Sequence, residues 1–244
     1  MIAGCHRLLI VTAVHAEVVA VVDGLRAAAG HPDSDDISDG GDGTATIKIG
    51  RRNRTATLLS GGVGMAAAAA TTARALALGD ARRMPYDAVL SVGIGGGMVH
   101  RVSVGGLAVG TSTVAADLGA ASPDGFLDLD QLGFGASSLT CDPTLVARLR
   151  SALPGAAAGP ILTVNTVTGT ADGTAEVLAR HPDAVAEAME GFGVATAAGH
   201  AGVPFAELRA VSNPVEPRNR VAWRIPAALG ALTAAFAALA TVGT

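Results

Sequence analysis

Two short stretches near the C-terminus, Ala188-Met189-Glu190-Gly191-Phe192-Gly193 and Arg209-Ala210-Val211-Ser212-Asn213, each set a polar side chain at the end of an apolar run. Met189-Glu190 is expected to open an apolar helix after a charged loop, with neighbouring Glu187 facing solvent. Arg209 to Asn213 is expected to end a buried strand, so Glu190 and Asn213 can emerge at one pocket. A carboxylate there offers four lone-pair sites and no proton, which suits a pair of hydroxyls. An amide offers a donor and an acceptor side by side. A third acid, Glu17 in Thr12-Ala13-Val14-His15-Ala16-Glu17-Val18, falls at a strand-to-helix junction. Ligands of α/β sheets collect at such junctions. From the residues alone, Glu17 is a helix-start carboxylate set against the helix dipole.

Two glycine-rich turns accompany these acids. Ser60-Gly61-Gly62-Val63-Gly64-Met65-Ala66-Ala67 follows a strand, opens a helix and contains Gly-x-Gly-x-x-Ala. A dinucleotide-binding unit wants this turn after its first strand and an acid at the end of the next. Here Asp87 precedes the next strand, so the segment reads as a tight turn whose N–H groups face a polar ligand, or as a structural turn. Ser91-Val92-Gly93-Ile94-Gly95-Gly96-Gly97-Met98 is a second strand-to-glycine run. It makes sense where a ligand must touch backbone that a Cβ would block. No Gly-x-Ser-x-Gly elbow occurs, and the six histidines are scattered without metal-ligand spacing,.

The elements that must position these residues follow from periodicity. Arg7 to Ala13 reads as a buried strand and Ala16 to Ala29 as a helix, with Val18, Val19, Val22 and Leu25 at helical spacing,. His31 to Gly43 reads as a polar loop. Thr44 to Ile49 and Thr55 to Leu59 read as strands around a Gly50 to Arg54 turn. Then come a helix at Val63 to Leu78, strands at Ala88 to Val92 and Leu107 to Ala115, and a long loop from Asp117 to Gly135. A helix at Pro143 to Ala152, a strand at Ile161 to Val164, helices at Gly173 to Arg180 and Met189 to Ala201, a strand at Pro204 to Val211 and a last helix after Trp223 complete the pattern. No repeat or linker interrupts it, so residues 1–244 are read as a single domain.

Composition narrows the function classes. Half of the 244 residues are apolar and 3% are aromatic, which implies a core of Ala, Val and Leu packed by close approach,. A net charge of −4, a single lysine (Lys48) and no basic cluster argue against nucleic acid as a partner,. Cys5 and Cys141 are too few and too far apart for a zinc site or disulfide framework, which fits a cytoplasmic protein. Ile225 to Val242 has membrane length but is weakly apolar, so it reads as a buried terminal helix, and no membrane partner is expected.

In order along the chain, these segments resemble the purine nucleoside phosphorylase and methylthioadenosine nucleosidase superfamily. There a Met-Glu pair grips the ribose, which implies that role for Met189 and Glu190, and the Ser-Gly-x-Gly turn lies beside the sugar. A Thr-Gly-x-Ala-Gly-Gly segment similar to residues 91–96 borders purine and ribose. By that likeness Gly93, Ile94 and Gly95 line the pocket, together with Val167. The nucleosidases place their water-activating Glu just before a Val, at the step of Glu17, whereas the phosphorylases carry an Arg-containing phosphate loop there. Its absence favours hydrolysis. Members acting on 6-oxopurines resemble this chain in having Asn, not Asp, at the position of Asn213. Pro217-Arg218-Asn219 and Asp117-Leu118-Gly119-Ala120 resemble the futalosine hydrolase family in particular.

The resemblance implies a three-layer α/β fold with a central mixed β-sheet flanked by helices. It also implies an N-glycosyl hydrolase that needs no metal or organic cofactor, takes a small nucleoside as substrate and works as a homo-oligomer, with a dimer favoured. For the reaction it implies hydrolysis of futalosine to hypoxanthine and dehypoxanthine futalosine in menaquinone biosynthesis. Two alternatives stay open: an enzyme for another 6-oxopurine nucleoside, such as an inosine nucleosidase or phosphorylase, and a non-catalytic nucleoside-binding module in which Glu17 is structural.

Overall fold

The structure, a computed structural model, describes residues 5–29, 37–39, 44–49 and 54–241. Strand β1 (Arg7–Thr12) leads into α1 (His15–Ala29), followed by β2 (Ile37–Asp39), β3 (Thr44–Ile49), β4 (Arg54–Ser60), α2 (Met65–Ala81), β5 (Ala88–Gly97) and β6 (Leu107–Ala115). The hairpin β7 (Gly119–Ser122) and β8 (Gly125–Asp128) precedes α3 (Leu129–Leu132), β9 (Ser138–Thr140), α4 (Pro143–Ala152) and β10 (Ala157–Thr163). The chain ends with α5 (Ala171–Arg180), β11 (Ala186–Ala188), α6 (Gly191–His200), β12 (Phe205–Pro214) and α7 (Ile225–Thr241). The strands form a mixed sheet in the order β11-β10-β6-β12-β5-β1-β4-β3-β2, with β9 beside β6. Because β11 also pairs with β5, the strands β5, β12, β6, β10 and β11 close into a ring at one end of the sheet.

The core follows the composition. Leu8 to Val11, Val89, Leu90, Val92 and Leu208 are fully or almost fully buried along the central strands. Each such side chain contributes about 1.5–3 kcal/mol relative to leaving it exposed. Helix pairs α1 with α7 and α2 with α6 cover the sheet, each pair reaching β5 and β12 through its second member. The helices approach closely at both pairs. A Cβ on Gly24 would stand 2.3 Å from the carbonyl oxygen of Thr233, and one on Gly193 would stand 2.2 Å from that of Met65. On α1, Val18, Val21, Val22 and Leu25 are buried. Val19, grouped with them by spacing, is 42% exposed, since the packed stripe passes through Val21 and Gly24 instead.

Several expected boundaries are corrected. The Asp117 to Gly135 stretch is not a plain loop: it holds the β7–β8 hairpin and α3. Asp128 and Gln131 form a reciprocal capping box at the start of α3, and Gly133 ends it in the left-handed conformation,. β5 continues to Gly97 through the glycine run, because β12 and β11 supply hydrogen-bonding partners on its two sides. Two short strands, β9 and β11, went unread, and α6 starts at Gly191 after β11 rather than at Met189. Within His31 to Gly43, Ile37–Asp39 pairs with β3, and the rest of that stretch lies outside the described residues. So do residues 50–53 of the expected turn and residue 242 of the terminal helix. Among the described residues, no helix is long and apolar enough to cross a membrane.

Candidate active site

Glu17 is the third residue of α1, and its carboxylate folds back over the helix start. Oε2 accepts from the N–H groups of Ala13 at 2.9 Å and Val14 at 3.2 Å, while Oε1 accepts from Ile94 N on β5 at 2.8 Å. Only 2% of the residue is exposed. Burial pushes its pKa up, and the three N–H groups with nearby Arg209 pull against that rise,. Gly93 makes this geometry possible. A Cβ there would meet Glu17 Oε1 at 2.6 Å and Arg209 Nη1 at 2.7 Å.

Glu190 caps α6 at the exit of β11. Its Oε2 accepts from Arg209 Nη1 at 3.1 Å and from Met189 N at 3.3 Å, and Gly64 N of the first glycine turn lies 3.4 Å from Oε1. Arg209, 1% exposed, is the hub of the cluster. Besides Glu190 it donates from Nε to Glu207 Oε1 at 2.9 Å and from Nη2 to Ser91 Oγ at 2.8 Å. Burial works against charge on Arg209, but Glu207, Glu190 and Glu17 together hold its pKa above the ordinary value. Burial in turn raises the pKa of Glu207 against the pull of Arg209. Two carboxylates thus contact one buried guanidinium, and the charge of Glu17 acts on it from nearby. Truncating one partner of such a buried pair typically costs about 3–5 kcal/mol.

Sequence reading took Arg209 only as the start of a strand end and missed Glu207. The signal was present: Glu207-Leu208-Arg209 in an otherwise apolar strand puts two opposite charges two residues apart on one face,. Glu187 is a plain correction. Expected in solvent, it is 4% exposed, because β11 is paired on both sides. Its Oε1 accepts from Thr168 N at 2.8 Å and its Oε2 from Thr168 Oγ1 at 2.5 Å. Burial raises its pKa, the Thr168 bonds lower it, and the charge of Asp117 adds to the rise. Asp117 itself accepts from Asn165 N at 2.6 Å, Asn165 Nδ2 at 3.1 Å and Thr166 N at 3.3 Å. The two acids therefore anchor the loop that carries Val167 and Thr168.

A register shift between Val211 and Asn213 on β12 brings Asn213 opposite Gly96. Such a bulge re-aims a side chain. Asn213 Oδ1 accepts from the Ser212 hydroxyl at 2.8 Å, and Nδ2 donates to the Pro214 carbonyl at 3.0 Å.

These residues surround one cavity of about 220 Å³. Glu17, Ile94, Gly95, Val167, Met189, Glu190 and Asn213 line it, as do Glu187, Thr168, Ser212 and Trp223. Gly93 does not: it stands behind the wall, where its missing side chain leaves room for Glu17 and Arg209. Acids on one side, an amide on another and apolar faces from Ile94, Val167 and Trp223 suit a small ligand with hydroxyls and a flat polar ring. A wider groove of about 960 Å³ lies elsewhere, between Leu129, Phe134, Phe192 and Phe205, and includes none of this set.

Comparison with known proteins places the chain in a family. The profile of the phosphorylase superfamily matches residues 7–241. The futalosine hydrolase of Streptomyces coelicolor is 52% identical over 185 residues, covering 76% of this chain and 78% of the relative. That of Acidothermus cellulolyticus is 47% identical over 237 residues, covering 96% and 90%. Among solved structures, the 5'-methylthioadenosine/S-adenosylhomocysteine nucleosidase of Neisseria meningitidis in complex with methylthio-immucillin-A superposes with a TM-score of 0.74 at 20% identity, over 96% of this chain and 98% of that one. A futalosine hydrolase mutant of Helicobacter pylori gives a TM-score of 0.76 at 17% identity, over 96% and 98%. At those identities the structures speak for the fold, and the two sequence relatives speak for the family: the chain belongs to the phosphorylase superfamily and, within it, to the futalosine hydrolases.

Proposed function

We propose that this protein hydrolyses the N-glycosidic bond of futalosine, releasing hypoxanthine and dehypoxanthine futalosine for menaquinone biosynthesis. The observation that carries the reading is the gathering of Glu17, Glu190 and Asn213 around one small cavity in a chain 47% identical to a futalosine hydrolase over 96% of its length. Glu17, held by three N–H groups with its pKa raised, would take a proton from water. General base catalysis typically supplies about 10²–10⁴-fold in rate. Glu190, steadied by Arg209, would accept from the ribose 2′ and 3′ hydroxyls through its remaining lone pairs. Each charged hydrogen bond of this kind contributes about 1.5–3 kcal/mol.

As the C1′–N9 bond breaks, its electron pair leaves with the purine, and the sugar develops oxocarbenium character of the kind common to glycosyl transfer. Water adds at C1′ and gives its proton to Glu17. Asn213 would hold the departing hypoxanthine at N7 and the 6-oxo group, after which the base takes up a proton. The ring oxygen stabilises the cation, so the residues present supply the chemistry without a cofactor. The proposed setting is the cytoplasm, consistent with two free, buried cysteines. The proposed assembly is a homodimer, a reading supported by Phe134, 80% exposed beside the wider groove.

The test is release of free hypoxanthine from futalosine in phosphate-free buffer. Turnover there supports the hydrolase; turnover only with added phosphate makes the protein a phosphorylase; binding without turnover makes it a binding module.

A further inference from the structure

We propose that Glu187 reads the N1 position of the purine, accepting the N1–H of a 6-oxopurine and thereby disfavouring the 6-amino counterpart. This rests on the futalosine reading above and assigns a residue that the reaction itself does not use.

The argument begins with register. On one side of β5, Glu187 of β11 pairs with Gly96, and on the other side Asn213 of β12 pairs with the same Gly96. Neighbouring strands lie roughly 4.8 Å apart, so the two polar residues stand roughly 10 Å apart across a position that has no side chain. All three line the cavity. A Cβ on Gly96 would intrude here, 2.8 Å from Val215 Cγ2 and 3.5 Å from Asn213 Nδ2. The wall is therefore a slot with an amide at one margin, a carboxylate at the other and glycine between, which suits the edge of a flat ring.

The edge of hypoxanthine presents N7, O6 and N1–H in that order. With Asn213 at N7 and O6, the N1–H points along the slot to the next polar group. Glu17 and Glu190 are engaged by the Ile94, Met189 and Arg209 contacts, and the Thr168 hydroxyl donates to Glu187. Glu187 has capacity left. Each of its oxygens takes one bond from Thr168, and each keeps a second lone pair,. A 6-aminopurine carries a lone pair at N1 instead of a proton, so it would set acceptor against acceptor.

Glu187→Gln isolates this role. The amide keeps the length of the side chain, its oxygen can still take the Thr168 N–H, and the Thr168 hydroxyl can switch from donor to acceptor. The group offered to N1 changes from acceptor to donor, and the negative charge is removed. The ratio of kcat/KM for futalosine over its 6-amino counterpart should fall by about tenfold to a hundredfold in this variant, a range typical of a site built around one polar group. Thr168→Val, which removes one anchor of the carboxylate but not its charge, should lower both substrates by the same factor. An unchanged ratio in Glu187→Gln, with the wild type releasing hypoxanthine, overturns the N1 assignment and leaves the hydrolase standing. A wild type that releases no hypoxanthine removes both. Binding to the unaltered protein checks the same point without any variant: hypoxanthine should bind at least about tenfold tighter than 1-methylhypoxanthine, and equal affinity also overturns the assignment.

Discussion

At the seam between α1 and α7, a Cβ on Gly24 would stand 2.3 Å from the Thr233 carbonyl oxygen; at the site, a Cβ on Gly93 would stand 2.6 Å from Glu17 Oε1 and 2.7 Å from Arg209 Nη1. The two glycines clear the same kind of space for different occupants. At the seam the space admits helix backbone and the Phe236 Cβ, so its yield is packing. At the site it admits a carboxylate and a guanidinium, so its yield is the position of charge. A missing side chain in this Ala- and Gly-rich chain has to be interpreted by what fills the gap.

The sharpest way to separate the regions is Glu17→Gln. Hydrolysis should fall by about 10²-fold or more with little change in ligand affinity, as measured by steady-state kinetics and product binding. Burial raises the Glu17 pKa above the ordinary carboxylate value,. In the wild type, activity should decline as pH falls through a value above the ordinary carboxylate range, and that limb should vanish in the variant. Near-normal turnover would take Glu17 out of the mechanism.

Gly93→Ala comes next. Displacing Glu17 and Arg209 by even a fraction of an ångström should lower kcat by about 10-fold to 100-fold, since a misplacement near 1 Å can cost about 10². A variant with wild-type kcat would show that the gap is not functional.

Asn213→Asp should shift the kcat/KM ratio toward the 6-amino substrate by about tenfold to a hundredfold, because Asp sets a second acceptor against O6 and can protonate N7 of adenine. A wild type that prefers the 6-amino form, or a variant with an unchanged ratio, would sink the 6-oxopurine reading whatever the fold.

The smallest effects belong to the seam. Gly24→Ala gains about 0.5–1 kcal/mol in helix propensity but overpacks, at about 1–3 kcal/mol, so the net loss should be near 1 kcal/mol, or about 2–4 °C in Tm. Gly230, on α7 with nothing within 4 Å of a built Cβ, supplies the control. Gly230→Ala should raise Tm slightly, and kcat should stay constant in both variants. Equal shifts at Gly24 and Gly230 would mean that the seam is not tight.

Much of this was legible in the sequence, for reasons that differ by element. Long periodic segments such as α1, α2 and α7 announced themselves, as did the junctions carrying Glu17 and Asn213, because turn chemistry and apolar runs are local signals. β11 was not legible: three residues carry no period, and what makes Ala186–Ala188 a strand is pairing with β10 and β5, far away in the chain. The burial of Glu187 follows from that pairing alone. Arg209 and Glu207 were hidden because an apolar strand draws attention to its hydrophobic residues, although the spacing of the two charges was in view. The β7–β8 hairpin was masked by its own composition, since Pro123, Asp124 and Gly125 mark a turn in a hairpin and in a loop alike.

The ring that β11 closes with β5, β12, β6 and β10 also governs how the molecule opens. A strand at a sheet margin can peel away alone and exchange its amide hydrogens by local fraying, whereas a strand paired on both sides must carry its neighbours with it. The backbone N–H groups of Gly96, Gly97, Glu187 and Arg209 should thus exchange on the timescale of global unfolding. Those of β2, at the other margin of the sheet, should exchange far sooner.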